Sequence, residues 1–539
     1  MKILTAEEMG AADRRSVEAG VSVGTLMQHA GDAVARFCLR RFGGDGLVVV
    51  LAGKGNNGGD GMVAALRLAE AGRTVRVALL GKAAELKSEA AEAWAALRAN
   101  KSGVEILEIE DDAGLLAALK GAALVIDAVV GTGFKPPLRG LAAVAQRLLS
   151  ESDAPVVAVD LPSGWDADSV EEKAEGAFRA EAVVTFAAPK LAHVLGHLTA
   201  ATFGPVVVAN IGTPEGAIEA ASGLTWGGSS KAIAEAPRAI NGNKGRLGHV
   251  LIVGGAYGKA GAPSMASVAA MRAGAGLVTA AVPREVLPVV AAVAPELMLT
   301  PLAVEGSGGL AMEALEEKPL AALLKGISVV GIGPGLGQEG STSEWVRAFV
   351  ERVTLPMVID ADALNALAGR TSLIKKRVDA AGRARTIILT PHPGEMARLV
   401  EMSVKEVEAD RVGLARRFAT EHGVTLVLKG WRTLVAHPDG RVAVNTTGNP
   451  SMAKGGSGDI LTGIVSAMLA QYPENVAEAV EAAVFLHGLA GDFACLAQDE
   501  HTVLAMDTVG HLWEAFRARV KDVDGLTWIS GTAGNGVKA

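Results

Sequence analysis

Apolar and polar positions alternate along the chain in blocks that read as strands and helices in turn. Thr5-Ala6-Glu7-Glu8 fits a capping box, with Thr5 as N-cap and Glu8 three residues on. Helical periodicity then runs to about Gly20, and a second helix is predicted over 25–42. Residues 47–51 form a short continuous apolar run, as expected of a strand buried on both faces. A glycine-rich loop and a helical stretch over 62–71 follow. Similar runs recur at 75–80, 124–130, 156–159, 183–186 and 206–209, with helical segments between most of them. Strands alternating with helices predict a parallel sheet covered on both sides.

That regularity lapses around 213–246, a stretch rich in Gly, Ser, Pro and Asn. A second alternating series begins at 250–253 and continues at 277–282, 329–332, 357–359, 386–389 and 425–428. Residues 432–437 and 441–445, joined by Pro438-Asp439-Gly440, read as a hairpin. Two or three helices follow. The expectation is therefore an α/β chain of two domains. A Rossmann-like doubly wound sheet spans 1–213, a linker 214–235 and a second α/β domain 236–525. The Gly-rich residues 526–539 are expected to be disordered.

Composition narrows the classes. The chain has 539 residues, is 50% hydrophobic and 20% charged, and carries a net charge of −8, so it can bury large cores. No basic tail or Lys/Arg block is present, so nucleic acid is not an expected partner. The two cysteines, Cys38 and Cys495, are far apart and lack zinc or disulfide spacing. The N-terminus lacks a signal-peptide core, and no apolar run reaches the roughly 18 residues that span a bilayer. A cytoplasmic protein with no membrane partner is expected.

In the first half, Gly53-Lys54-Gly55-Asn56-Asn57-Gly58-Gly59-Asp60 contains GxGxxG, a weak dinucleotide signal on its own. The acidic residue that should hold a ribose at the next strand end is missing, which disfavours ordinary nicotinamide redox binding. The bland reading is a tight strand-to-helix turn. Two further strand ends match it, at Asp127 leading to Gly131-Thr132-Gly133, and at Asp160-Leu161-Pro162-Ser163. Ligands bind beyond the carboxyl ends of parallel strands, so three polar loops there can share one crevice. Over about residues 1–215 the chain closely resembles the NAD(P)H-hydrate epimerase family, most specifically in Asn56-Asn57-Gly58-Gly59-Asp60-Gly61. The resemblance implies a potassium ion on Asn57, Asp127 and Ser163. It implies that Asn56, Asn57, Gly58, Gly59, Asp60, Gly131, Thr132, Gly133, Phe134, Lys135, Pro136, Pro137 and Asp160 contact the hydrated nicotinamide nucleotide. Asp160 is then the candidate acid/base for interconverting the R and S hydrates.

In the second half, Gly455-Gly456-Ser457-Gly458-Asp459 stands before an apolar helix. Glycines at a helix N-terminus make an anion hole, and the carboxylate beside it can take a proton from a hydroxyl attacking a phosphoryl group. No Walker loop occurs. With Gly333-Pro334-Gly335, the run from Thr390 through His392 to Glu395, Lys429-Gly430 and Asn449-Pro450, the segment from about 243 to 520 resembles the dehydratase domain of the same repair system, a ribokinase-like fold. That resemblance implies ADP as phosphoryl donor, with Mg2+ as an optional companion. It places ADP near Lys429, Gly430, Trp431, Arg432, Thr433, Asn449, Lys454, Gly455, Gly456, Ser457 and Gly458. The hydrated cofactor falls near Ala262, Gly335, His392 and Asp459, with Asp459 as base. The expected partners are NADHX, NADPHX and ADP, in a homo-oligomer. Two rival readings are a ribokinase-like kinase of a small hydroxyl compound, in which phosphorylated product accumulates, and a nucleotide-binding scaffold without catalysis.

Overall fold

The structure is a computed structural model that describes residues 1–539 except 101, 307, 376–381, 383–384 and 533–539. The chain divides into two compact units, residues 1–224 with 519–539, and residues 225–518.

In the first unit, an eight-stranded sheet runs in the order Thr527–Ser530, Val206–Ala209, Ala182–Phe186, Val156–Val159, Ala122–Ala128, Leu47–Ala52, Val75–Leu80, Glu105–Ile109. Pairing is parallel throughout except at Thr527–Ser530. The apolar run at 47–52 is continuous because both its faces are covered. Val48, Val50 and Ala52 enter one core with the helices Val23–Arg41 and Asn56–Glu70, while Val49 and Leu51 enter another with Leu115, Ala145 and Leu149. Burying strand side chains on alternate faces places the strand ends, not the faces, at the surface where ligands can reach.

Two expectations need correction. Residues 526–532 are not a disordered tail, because Trp528 is buried, packs 6.1 Å from the Phe37 ring, and its strand adds antiparallel to Val206–Ala209. The stretch 214–235, expected as a linker, does contain the boundary between the units but is not merely a connection. It holds the strand Leu224–Trp226 and the 3-10 helix Gly227–Ala234, whose Lys231 is fully buried.

The doubled glycines of the first loop meet a packing demand. A Cβ on Gly58 would stand 2.0 Å from the Gly53 carbonyl oxygen, and one on Gly61 would stand 2.4 Å from Ala128 Cβ. The helix start is pressed onto the sheet at a distance only glycine allows. We expect Gly58→Ala to destabilise the first unit by about 1–3 kcal/mol, as overpacking does. Denaturant unfolding measures it, and an unchanged midpoint would contradict this packing.

In the second unit, a ten-stranded sheet runs Met298–Leu302, Leu277–Pro283, His249–Val253, Val329–Ile332, Met357–Ile359, Ile387–Leu389, Thr425–Leu428, Leu434–Ala436, Val442–Val444, Leu224–Trp226. The first seven are parallel, and the predicted hairpin pairs Leu434 with Val444 and Ala436 with Val442. The helix Ser457–Gln471 packs on this sheet almost wholly buried, and Val476–Ala497, also largely buried, packs against that helix and against Gly227–Ala234. Among the described residues, Val476–Ala497 is long and apolar enough to cross a membrane, yet most of it is buried inside the protein.

Candidate functional sites

The first site lies at the carboxyl ends of the parallel strands in the first unit, in a cavity of about 750 Å³. Asn56, Asn57, Asp60, Gly131, Thr132, Gly133, Phe134 and Asp160 all line it. Gly58 and Gly59 are buried in the helix beneath it. Lys135, Pro136 and Pro137 do not line it, and the Lys135 ammonium pairs instead with Asp166 (2.7 Å) and Asp168 (2.9 Å). Gly55 caps the helix Asn56–Glu70 without any side-chain bond, so its first N–H groups are open to an anion.

Asp160 is the best-anchored group here. Its backbone sits at φ +68, a left-handed conformation that is uncommon outside glycine and clusters at functional sites. The strain is held by its N–H to the Val184 carbonyl (2.8 Å) and by the His193 ring, whose Nε2 donates to its carbonyl oxygen (2.6 Å). His193 Nδ1 accepts from the Lys190 N–H, which fixes that tautomer. The carboxylate takes four donors. Lys190 Nζ (2.8 Å) and Thr185 Oγ1 (2.8 Å) reach Oδ1, while Thr132 N–H (2.8 Å) and Oγ1 (2.5 Å) reach Oδ2. Burial opposes its charge, but the Lys190 ammonium and these donors prevail and hold the carboxyl well below the usual range. It is an anion that fixes the Thr132 loop.

Asn57, Asp127 and Ser163 were expected to hold a cation. Asn57 lines the cavity, and among the described residues its buried amide oxygen and nitrogen have no hydrogen-bond partner. That oxygen and Asp160 Oδ2 each lie 3.0 Å from where a Cβ on Gly131 would stand, so Gly131 keeps open a cradle of oxygens. Asp127 and Ser163 stand behind the loop and bind each other. Ser163 Oγ donates to Asp127 Oδ1 (2.6 Å) and Ser163 N–H to Oδ2 (2.7 Å). Burial, against those bonds, raises the Asp127 carboxyl to about 6. The set is all oxygen, which suits a hard cation.

The second site is a cavity of about 710 Å³ at the strand ends of the second unit. Gly456 caps Ser457–Gln471 at φ +98 with no side-chain bond, leaving the helix N–H groups facing the cavity. Asp459 lies in that first turn. Burial and the Asp360 charge raise its carboxyl to about 7 against the Lys429 ammonium, with Asp362 and Glu395 adding to the rise. Lys429 is held by Asp360 Oδ1 (2.9 Å), and Asp360 Oδ2 accepts from Thr462 Oγ1 (2.8 Å). A Cβ on Gly458 would stand 3.2 Å from Lys429 Nζ, so the ammonium adjoins the anion loop.

Other expected residues fall in this cavity but carry local structural tasks. His392 caps the helix Pro393–Val400, with Nδ1 accepting from Gly394 N–H (3.0 Å). Lys454 Nζ donates to the carbonyls of His501 (2.7 Å) and Val503 (2.6 Å). Asn449 is oriented by Asp492, which accepts from its Nδ2 (2.9 Å), and its Oδ1 accepts from Ser451. Gly430, Trp431, Arg432, Thr433, Gly455, Ser457 and Gly458 also line it, with the Arg432 guanidinium 4.3 Å over the Trp431 ring. Ala262 and Gly335 do not line it. They adjoin each other, since a Cβ on Gly335 would stand 3.0 Å from Ala262 Cβ. Lys190 and Asp360 escaped the sequence reading, although Asp360 ends an apolar run much as Asp127 does.

Two parallel α/β units, each with an anion-seeking helix start beside buried carboxylates, define a two-domain enzyme class that works on phosphorylated, nucleotide-like molecules. The family described as NAD(P)H-hydrate dehydratase matches residues 250–512, and that described as YjeF-related protein N-terminus matches residues 23–192. The bifunctional NAD(P)H-hydrate repair enzyme Nnr of Moorella thermoacetica is 38% identical over 97% of this chain and 98% of its own. Its namesake from Pyrobaculum aerophilum is 37% identical (96% and 98%), and that from Escherichia coli 34% (96% and 94%). A solved Bacillus subtilis ADP/ATP-dependent NAD(P)H-hydrate dehydratase, co-crystallised with ATP and Mg2+, is 30% identical, covering 55% of this chain and 99% of that one at a TM-score of 0.45. The chain belongs to the family of bifunctional NAD(P)H-hydrate repair enzymes.

Proposed function

We propose that the first unit interconverts the R and S hydrates of NADH and NADPH, and that the second dehydrates the S hydrate at the expense of ADP. The observation that carries this reading is the presence of one complete strand-end crevice in each unit. In the second, Asp459 takes the proton of the substrate hydroxyl as its oxygen attacks the β-phosphoryl of ADP seated on the N–H groups before Ser457–Gln471. AMP leaves. The ring nitrogen lone pair then expels phosphate, leaving a C=N+ bond, and loss of a proton from the adjacent ring carbon forms the ring C=C bond, returns the pair to nitrogen and restores the dihydronicotinamide. Lys429, steered by Asp360, supplies positive charge where the phosphoryl group moves. Among the described residues no cluster of three or more His, Cys, Asp or Glu is set to hold a metal. A Mg2+ carried in with the nucleotide phosphates fits this chemistry.

The test is direct. Hydrated cofactor with ADP should regain absorbance in the reduced-nicotinamide band, with AMP and phosphate formed one for one. Accumulation of a phosphorylated hydrate would make the protein a kinase instead.

In the first unit, potassium would rest on Asn57, Asp127 and Ser163 and add positive charge beside the anionic nucleotide. Asp127→Ala should weaken potassium dependence and epimerisation together, read as epimerisation rate against potassium concentration. An unchanged potassium response in that variant would remove Asp127 from the ligand set.

A further inference from the structure

The first cavity contains two carboxyls outside the Asp160 network, Asp13, and Asp60, which is expected only to contact the nucleotide. Asp13 lies on the helix Ala6–Glu18, flanked by the buried positions Met9, Ala12 and Ser16, and this helix precedes the segment matched by the family description. Asp60 lies in the first turns of Asn56–Glu70. Both line the cavity with Asp160 and Lys190. Asp160 is saturated by four donors and stays ionised. Among the described residues, no protein donor reaches the carboxyl of Asp13 or Asp60.

The charges facing this pair come from three elements. Burial, then the charges of Asp160 and Asp13, push Asp60 well above the usual carboxylate range against the Lys190 ammonium. Burial also raises Asp13, with Lys190 opposing, Asp160 adding and Arg14 opposing. Three carboxyls around one buried ammonium favour retention of a proton by the cluster, and like charges divide it unequally.

We propose that Asp13 and Asp60 are the proton-transfer pair of epimerisation, and that the Asp160–Lys190 ion pair is the fixed frame that positions them. This rests on the epimerase reading of the first unit. The neutral carboxyl gives its proton to the hydroxyl on the hydrated ring carbon. The C–O bond breaks, its electron pair leaves on water, and the ring nitrogen lone pair forms a C=N+ bond. Water then adds to the opposite face of that carbon, the C=N pair returns to nitrogen, and the added water gives a proton to the ionised carboxyl. One proton is given and one taken, one water leaves and one enters, and nothing is oxidised or reduced. In the reverse direction the carboxyls exchange roles. Asp160 supplies negative charge near the transient cation.

The experiment follows epimerisation by the full chain in 18O-labelled water, with the epimers separated and weighed. Each conversion should place one solvent oxygen in the ring hydroxyl. Asp13→Asn and Asp60→Asn should each slow epimerisation about 10²-fold or more, with dehydration of the S hydrate unchanged as an internal control. Asp13→Glu and Asp60→Glu keep a carboxyl and should recover part of the rate. Asn variants within threefold of the unaltered chain would overturn the proposal, as would Glu variants no faster than Asn. Epimerisation without solvent oxygen would overturn the water-loss step and leave the epimerase reading standing. An unaltered chain that fails to epimerise would sink that reading itself.

Discussion

Asp459→Asn should lower ADP-dependent dehydration by about 10²–10⁴-fold, the usual contribution of a positioned base, while ADP still binds and epimerisation is untouched. Asparagine keeps the size and shape of the side chain but cannot accept the proton. The anion hole survives because its donors are backbone N–H groups at the start of Ser457–Gln471. Burial and the Asp360 charge place the Asp459 carboxyl at about 7, partly countered by Lys429. The working form is the ionised one, so kcat/KM for the S hydrate should rise with pH through about 7. Asp459→Asn should abolish that limb. Full activity in a folded variant would remove Asp459 from the chemistry, and persistence of the limb would assign it to another group.

Lys190→Met should destabilise the first unit by about 3–5 kcal/mol, the cost of leaving a buried charge without its partner. Lys190 is 1% exposed and Asp160 7%, so solvent cannot substitute for the lost ammonium. The same change frees Thr185 Oγ1, which accepts from Lys190 (2.8 Å). Epimerisation should be lost and dehydration kept. The double variant Lys190→Met with Asp160→Asn should regain much of the stability without activity, because neither charge is then stranded. The pH dependence has a definite sign. Asp160's folded carboxyl is depressed, so its stabilising contribution is present in full above the ordinary aspartate value of about 3.9 and is lost as pH falls below it towards the folded value. Hydrogen exchange in the strands Val156–Val159 and Ala182–Phe186 reads the stability. A Lys190→Met protein as protected as the unaltered chain would show that this pair does not hold the unit together.

The residues that could be read from sequence share one property: each announces itself locally. Asp127, Asp160 and Asp459 adjoin an apolar run and glycines, so their place at a strand end or helix start follows from their neighbours. Lys190 and Asp13 do not. Lys190 follows Pro189 before the five-residue helix Leu191–Leu195, and its meaning comes from Asp160, thirty residues away. Asp13 sits within an amphipathic helix, where an aspartate ordinarily reads as part of the solvated face. Trp528 was obscured by the glycines around it, because its strand exists only through pairing with Val206–Ala209. Lys454 lines the expected cavity and has a second, structural task that its local sequence does not show. Its ammonium also donates to the carbonyls of His501 and Val503, nearly fifty residues on.

Two sites on one chain divide the labour, and following each epimer of a racemic hydrate separately in the presence of ADP reads that division. The unaltered chain should consume both to completion. Asp160→Asn should consume only the S hydrate and leave R beyond its spontaneous conversion, Asp459→Asn should consume neither while still interconverting them, and mixing the two variants should restore consumption of both. Consumption of R by Asp160→Asn at the rate of S, or failure of the mixture to consume R, would contradict the account.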